Sequence, residues 1–258
     1  MKQYIVDAFT QEVFKGNPAA VCILDTWLSD SHLQAIALEN NLSETAFVVK
    51  KAGHYHLRWF SLNGEIDLCG HATLAAAYVI ANFYEHTAEL IFHTMSGDIA
   101  VSQQEERFEI SFPSFDLEEV TITDELVAAI GCQPTAVYLG RDLLCILDTA
   151  EDVYRVTPNQ EKIAALDGLL LHVTAKSEGE YTCVSRTFAP KLNIAEDSVC
   201  GSGHCHIVPY WAKKLQTETI IAYQASARGG ILYGTYAGDR TKLAGYATLF
   251  AIADIFIS

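Results

Sequence analysis

Basic residues are scarce in this chain. Its 258 residues include 17 Lys and Arg against 32 Asp and Glu, a formal charge of −15, and no basic run interrupts the acidity. A surface of that sign repels phosphate backbones and anionic lipid, which argues against nucleic-acid and membrane-surface partners. Long apolar runs are missing too. The longest, near 72–81 and 246–257, fall short of the ~20 residues that a membrane span needs. The opening Met1-Lys2-Gln3-Tyr4 leads into a strand-like stretch and does not resemble a secretory signal. The seven cysteines, at 22, 69, 132, 145, 183, 200 and 205, contain no CxxC pair, as suits buried thiols in a reducing compartment. A cytoplasmic protein is the expectation.

What the chain does hold is core. Half of its residues are hydrophobic and only 19% are charged, with 12 Phe, 12 Tyr and 3 Trp, enough apolar surface for a compact protein and too much for a disordered one. The length suits two units of about 100–150 residues.

The pattern along the chain is α/β. Strands are predicted at Tyr4–Phe9 and Ala19–Leu24 around the turn-prone Lys15-Gly16-Asn17-Pro18, then a helix capped by Asp30 or Ser31, then a strand at Ala46–Val49. Two more strands, Tyr55–Ser61 and Glu65–Leu68, precede a helix over Ala72–Tyr84. That helix is apolar on nearly every face, the mark of one buried all round. Strands near 89–94, 98–102 and 107–112 lead to Pro113-Ser114, the best linker candidate.

Beyond it the order begins again. Cys22-Ile23-Leu24-Asp25-Thr26 recurs unchanged as Cys145-Ile146-Leu147-Asp148-Thr149. At nearly the same spacing, Leu68-Cys69-Gly70-His71-Ala72 is answered by Val199-Cys200-Gly201-Ser202-Gly203, each after an acidic segment and before an apolar helix. Two copies of one unit are therefore expected, over 1–115 and 118–258, with the last strand able to return to the first. The second copy has a helix at Asp124–Ile130, strands at 135–139, 143–147, 169–174 and 181–188, and a helix at Gly201 kinked by Pro209.

A glycine turn opening a helix presents free backbone amides and the positive end of the helix dipole, a natural anion site. Two such turns, at Gly70 and Gly201, could converge on one small carboxylate; equally, each glycine could serve only close packing. Cys69 and Cys200 stand just before the turns, where a helix N-terminus lowers a thiol pKa; the alternative is a small buried hydrophobe. Cys200, His204, Cys205 and His206 raise the question of zinc, but no second cluster at ligand spacing completes a tetrahedral set, and His54 with His56 is a weak supplement. No metal is expected. Arg58, Arg186 and Arg228 could each meet a carboxylate or serve in surface ion pairs.

Four ordered segments resemble one family. They are Val6-Asp7-Ala8-Phe9-Thr10 with Gly16-Asn17-Pro18-Ala19-Ala20-Val21, Asn41-Leu42-Ser43-Glu44-Thr45-Ala46-Phe47, Leu68-Cys69-Gly70-His71-Ala72-Thr73-Leu74-Ala75, and Glu196-Asp197-Ser198-Val199-Cys200-Gly201-Ser202-Gly203-His204-Cys205. Over essentially its whole length the chain looks like the phenazine-biosynthesis PhzF-like isomerases, of the diaminopimelate epimerase fold. The resemblance implies two similar domains, each a mixed β-barrel-like sheet around a central helix, with the active site between them. It also implies that Glu44 is an acid/base carboxylate working without a cofactor, and that Ser43, Gly70, His71, Asp197, Gly201 and Ser202 hold or polarise the substrate. The family's usual second motif reads Asp-Pro-Val-Thr-Gly-Ser-Ala; here Ser198, Cys200 and Gly203 replace its Pro, Thr and Ala.

The function expected from these residues is a cofactor-independent isomerase that moves a proton on a small carboxylated metabolite. For this, burial would raise the Glu44 pKa toward the working pH. Two other readings stand beside it: a two-thiol racemase or epimerase using Cys69 and Cys200, and a non-catalytic small-molecule binding protein. A homodimer is the default assembly.

Overall fold

The computed structural model describes residues 1–257. The chain forms two compact units, one made of Met1–Ser111 with the segment from Ala244 onward, the other of Phe112–Leu243.

In the first unit, β1 (Lys2–Ala8), β2 (Asn17–Leu24), α1 (Asp30–Asn40), β3 (Glu44–Lys51), β4 (His54–Ser61), β5 (Gly64–Ile66), α2 (Gly70–Phe83), β6 (Glu89–Thr94), β7 (Gly97–Gln104) and β8 (Arg107–Pro113) follow in order. Antiparallel pairs join β1 to β2, β3 to β4, β4 to β5, β6 to β7 and β7 to β8. The pairs β2–β3 and β4–β6 are parallel. Each parallel pair needs a crossover, and α1 and α2 supply them. Ser29 caps α1, not the expected Asp30 or Ser31, its Oγ accepting the His32 N–H at 3.3 Å. Helix α2 is buried along His71–Ala77 and Val79–Ala81, and its run of alanines lets the sheet approach closely.

The second unit holds β9 (Glu118–Glu119), α3 (Asp124–Ile130), β10 (Ala136–Leu139), β11 (Leu143–Ile146), α4 (Ala150–Arg155), α5 (Gln160–Ala164), β12 (Leu171–Lys176), β13 (Cys183–Ala189), β14 (Ile194–Asp197), α6 (Gly201–Leu215), β15 (Thr219–Gln224), β16 (Gly230–Ala237) and β17 (Arg240–Gly245). Its strands repeat the pairing scheme of the first unit from β10 onward. Antiparallel β10–β11 is followed by a helical crossover to parallel β11–β12, then antiparallel β12–β13 and β13–β14, then a second helical crossover to parallel β13–β15. The repeated pentapeptide begins near the end of β2 and of β11 and runs out of each strand, which is the first member of the first parallel pair in its unit. The short α4 and α5 were not legible in the hydrophobic pattern. They are set by their caps: a capping box between Thr149 and Asp152, and Asn159 accepting the Lys162 N–H.

The chain then returns. Strand β18 (Ala247–Asp254) pairs antiparallel with β1, from Lys2↔Asp254 to Ala8↔Ala247, so the closing segment belongs with the first unit.

Pro209 does not end α6. The carbonyl of Cys205, which loses its helical partner at position 209, accepts the backbone N–H of Phe115 at 3.2 Å. That replaces the bond that proline removes.

The core of the second unit gathers Leu126, Ile130, Val137, Leu143, Cys145, Val173, Val184 and Phe188. Phe188 has no exposed surface, so Phe188→Ala should cost about 3–5 kcal/mol of stability, read from chemical denaturation.

Candidate active site

Glu44 begins β3, directly after the turn that ends α1, and His71 is the second residue of α2. The fold brings His71 Nε2 to 3.2 Å from Glu44 Oε2, with side chains only 8% and 12% exposed. Both atoms are buried and lack a well-formed hydrogen bond, as does the neighbouring Ser43 Oγ. On the other side of the imidazole, Nδ1 lies 3.4 Å from Asn17 Nδ2 and 3.5 Å from Cys69 Sγ. Unsatisfied buried polar atoms are rare in folded proteins; three at one place mark a site prepared for a ligand.

The electrostatics differ from the sequence expectation. Burial pushes the Glu44 carboxyl up, but the close approach and charge of His71, with Ser43 beside it, outweigh it and hold the group below its ordinary value. Burial pushes His71 down, yet the Cys69 sulfur and the Glu44 carboxylate beside it leave its pKa well above the ordinary imidazole range. At neutral pH Glu44 is therefore a carboxylate, and its charge favours the protonated form of His71 beside it. Cys69 is raised, first by burial. Cys200 is raised further, by burial and then by Asp197. The expected lowering of both thiols by their helix N-termini is overridden by desolvation.

In the second unit, Cys200 caps α6, its Sγ accepting the Gly203 N–H at 3.3 Å, and its own N–H donates to Gln224 Oε1 at 2.8 Å. Ser202 Oγ lies 3.5 Å from Cys200 Sγ. Asp197 closes β14, and its Oδ1 accepts the Val199 N–H at 3.2 Å. Gly70 and Gly201 open their helices without left-handed backbone, so the bend does not demand glycine there.

Beneath the first turn of α6 lies a network that the sequence did not announce. Asp142, fully buried, accepts from Arg141 Nε at 3.0 Å and Nη2 at 2.6 Å, from His172 Nε2 at 3.1 Å and from the Leu170 N–H at 3.3 Å. Burial would raise this carboxyl, but His172 and Arg141 hold it well below the usual range. His206 Nε2 accepts the Asp142 N–H at 3.3 Å, while its Nδ1 donates to the Ser202 carbonyl at 3.3 Å. Burial, with His172 nearby, lowers the His206 pKa to about 3. These partners come from a hairpin, the start of β12 and a helix, far apart in sequence.

Two groups place three possible metal donors within 4.8 Å of one another: Glu44, Cys69 and His71, and Asp142, His172 and His206. Neither donor set suits a cation. The first offers an imidazole whose protonated form the adjacent carboxylate favours and a thiol raised by burial, both poor metal donors. In the second, a guanidinium already occupies the carboxylate. The zinc set weighed from sequence disperses: His204 Nδ1 donates to the Cys200 carbonyl at 2.7 Å, and Cys205 Sγ donates to the Gly201 carbonyl at 3.6 Å. Arg58 is paired with Glu65 and Asp30, and Arg186 with Glu196. Arg228 also has partners within the protein.

The departure at Gly203 has a steric reason. A Cβ there would lie 2.5 Å from His172 Cε1, and this ring is fixed between Asp142 and Thr187, whose Oγ1 is 2.9 Å from His172 Nδ1. Gly203→Ala should therefore destabilise the chain by about 1–3 kcal/mol through overpacking, measured by urea denaturation. Shrinking the ring, as in Gly203→Ala/His172→Ser, should relieve the clash.

The phenazine biosynthesis-like family, PhzC-PhzF, matches residues 6–252. An uncharacterized isomerase of Pseudomonas aeruginosa is 43% identical over 98% of this chain and 97% of its own length. The phenazine biosynthesis-like domain-containing protein 2 of Mus musculus is 37% identical over 89% of each. Among solved structures, a PhzF family protein of Enterococcus faecalis superposes with a TM-score of 0.97 at 48% identity, covering 99% of both chains. A probable proline racemase of Agrobacterium radiobacter shares the fold alone, with a TM-score of 0.65 at 9% identity over 100% of this chain and 93% of its own. The ordered motifs, the duplicated unit and these matches agree: the chain belongs to the phenazine biosynthesis-like, PhzC/PhzF, family.

Proposed function

We propose that the protein is a cofactor-independent isomerase in which Glu44 moves a proton between two carbons of a small carboxylated metabolite. The observation that carries this is the buried Glu44–His71 pair at 3.2 Å, with unused hydrogen-bonding capacity on both partners and on Ser43. Its relatives, uncharacterized isomerases of Pseudomonas aeruginosa and Halalkalibacterium halodurans among them, support the reaction class.

The chemistry follows from the charges. The Glu44 carboxylate takes a proton from a carbon next to a carbonyl or carboxylate. The C–H electron pair moves into the π system and charge develops on oxygen, as in an enolate. A preorganised imidazolium such as His71 stabilises that charge in a site shielded from water. Glu44, now neutral, returns the proton to a different carbon. One C–H bond is broken and one made, a double bond shifts, and the enzyme ends as it began. The thiols are raised by burial and so are poor bases at neutral pH.

Deuterium incorporation from D₂O, followed by mass spectrometry over small hydroxy, amino and cyclic unsaturated acids, tests this. Glu44→Gln should lower exchange by about 10²–10⁴-fold, while Cys69→Ala/Cys200→Ala retains it. Loss confined to the double thiol variant would point to a two-thiol epimerase. Wild type that binds acids without exchange would point to a binding protein. The pH profile is a second check. Activity should fall at low pH through a value below the ordinary 4.5 of Glu44, as the carboxylate gains a proton. At high pH it should fall through a value well above 6.5, as His71 loses one. His71→Gln should abolish the high-pH limb.

A further inference from the structure

Arg141 sits at the tip of the β10–β11 hairpin, and its guanidinium is held on three sides. Nε and Nη2 grip the buried Asp142 carboxylate. One flat face lies against the Phe115 ring, 4.9 Å from its centroid, and that ring stacks on His206 at 4.3 Å and 14°. The second Nη2 proton points along the far edge of the fork, where Nη2 donates to Ser202 Oγ at 2.9 Å. Nη1, on that same edge, makes no hydrogen bond among the described residues, and the side chain is 35% exposed. A long, costly-to-order side chain has thus been fixed with the two N–H groups of Nη1 unspent.

The bond to Ser202 has a directional consequence. Arginine only donates, so Ser202 Oγ is the acceptor there, and its own O–H faces only the Cys200 sulfur at 3.5 Å, a weak acceptor that a carboxylate oxygen can replace. Nη1–H and the Ser202 O–H then form adjacent donors, one of them charged. Two neighbouring donors on a rigid support match the two oxygens of a carboxylate, and a guanidinium edge favours such planar anions. A carboxamide offers one acceptor oxygen and, in place of the second, an N–H₂ group that would face these donors.

We propose that Arg141 and Ser202 form a carboxylate-recognition subsite in the second unit, with Asp142 as the positioning residue that fixes the guanidinium. The inference depends on the proposed function only in taking the ligand to be a small carboxylate. It assigns the acid-versus-amide choice to a hairpin residue, separate from the proton-transferring Glu44.

Binding, which needs no turnover, provides the test. Cyclohex-1-ene-1-carboxylate, crotonate and lactate are titrated against the wild-type chain beside their carboxamides by ligand-observed NMR. The wild type should bind the acid of at least one pair about ten- to hundredfold more tightly than its amide. Arg141→Met alone would strand the buried Asp142 charge, so the informative variant is Arg141→Met/Asp142→Asn, expected to bring acid and amide close to parity. Ser202→Ala leaves the Arg141–Asp142 pair in place and should reduce the preference severalfold, which keeps the test valid if the double variant unfolds. Arg141→Lys should restore part of the preference. Equal binding of acid and amide by the wild type, no binding of either, or a preference unchanged in both the Arg141 and Ser202 variants overturns the subsite. Deuterium exchange run alongside separates the two ideas: acid preference lost without Arg141, in a chain that exchanges nothing, leaves the subsite standing and removes the isomerase.

Discussion

The burial of one helix in each unit, on every face except near its C-terminal end, is the constraint on which the rest depends. Helix α2 is covered along His71–Ala77 and Val79–Ala81, and α6 from Cys205 to Pro209 and again at Trp211 and Ala212. A helix apolar on all faces needs cover on all faces, and a sheet that crosses over it twice through parallel pairs provides this. With its axis fixed, the helix has no freedom at its first turn. Residues there, His71 in one unit and Ser202 in the other, are held by the packing of everything behind them. Preorganisation at these turns is thus a by-product of core formation.

The two units share a scaffold but carry different chemistry. Glu44 precedes the first register pair of β3, and the β2–β3 and β11–β12 pairings place Leu170 at the corresponding point of the second unit. An acid in one copy is an apolar residue in the other. Conversely, the segment that holds Arg141 and Asp142 corresponds in the first unit to the start of β2, where Asn17 reaches His71 instead. One unit keeps the Glu44–His71 pair with spare hydrogen-bonding capacity. The other fully satisfies its buried carboxylate and leaves a guanidinium donor open.

The repeat, the two buried helices and nearly all of the strands were legible, because hydrophobic period and turn residues are local signals. Glu44 was not visible by that route. A glutamate between Ser43 and Thr45 carries no periodic mark, and only the family motif singled it out. Its charge state was misjudged, since burial alone argues for a raised pKa and the opposing His71 lies on another element. The Asp142–His172–His206 cluster escaped for the same reason: its members are adjacent only once β11 lies beside β12 and α6 packs across them. Pro209 reads as a defect in α6 because the N–H that replaces its own comes from Phe115, nearly a hundred positions earlier. What escaped is what pairing over long sequence distances creates.

The pairing of β1 with β18 also bears on how the protein is made. The second unit, Phe112–Leu243, is one continuous stretch of chain, whereas the first is interrupted by it and closed by residues from Ala244 onward. On a ribosome, where chains fold as they emerge, the unit that starts first can finish only last. Until β18 arrives, β1 offers the ladder positions from Lys2 to Ala8 as an open sheet edge, a surface prone to mispairing. The interval needed to synthesise an entire second unit is therefore also the interval during which the first stands exposed to wrong partners.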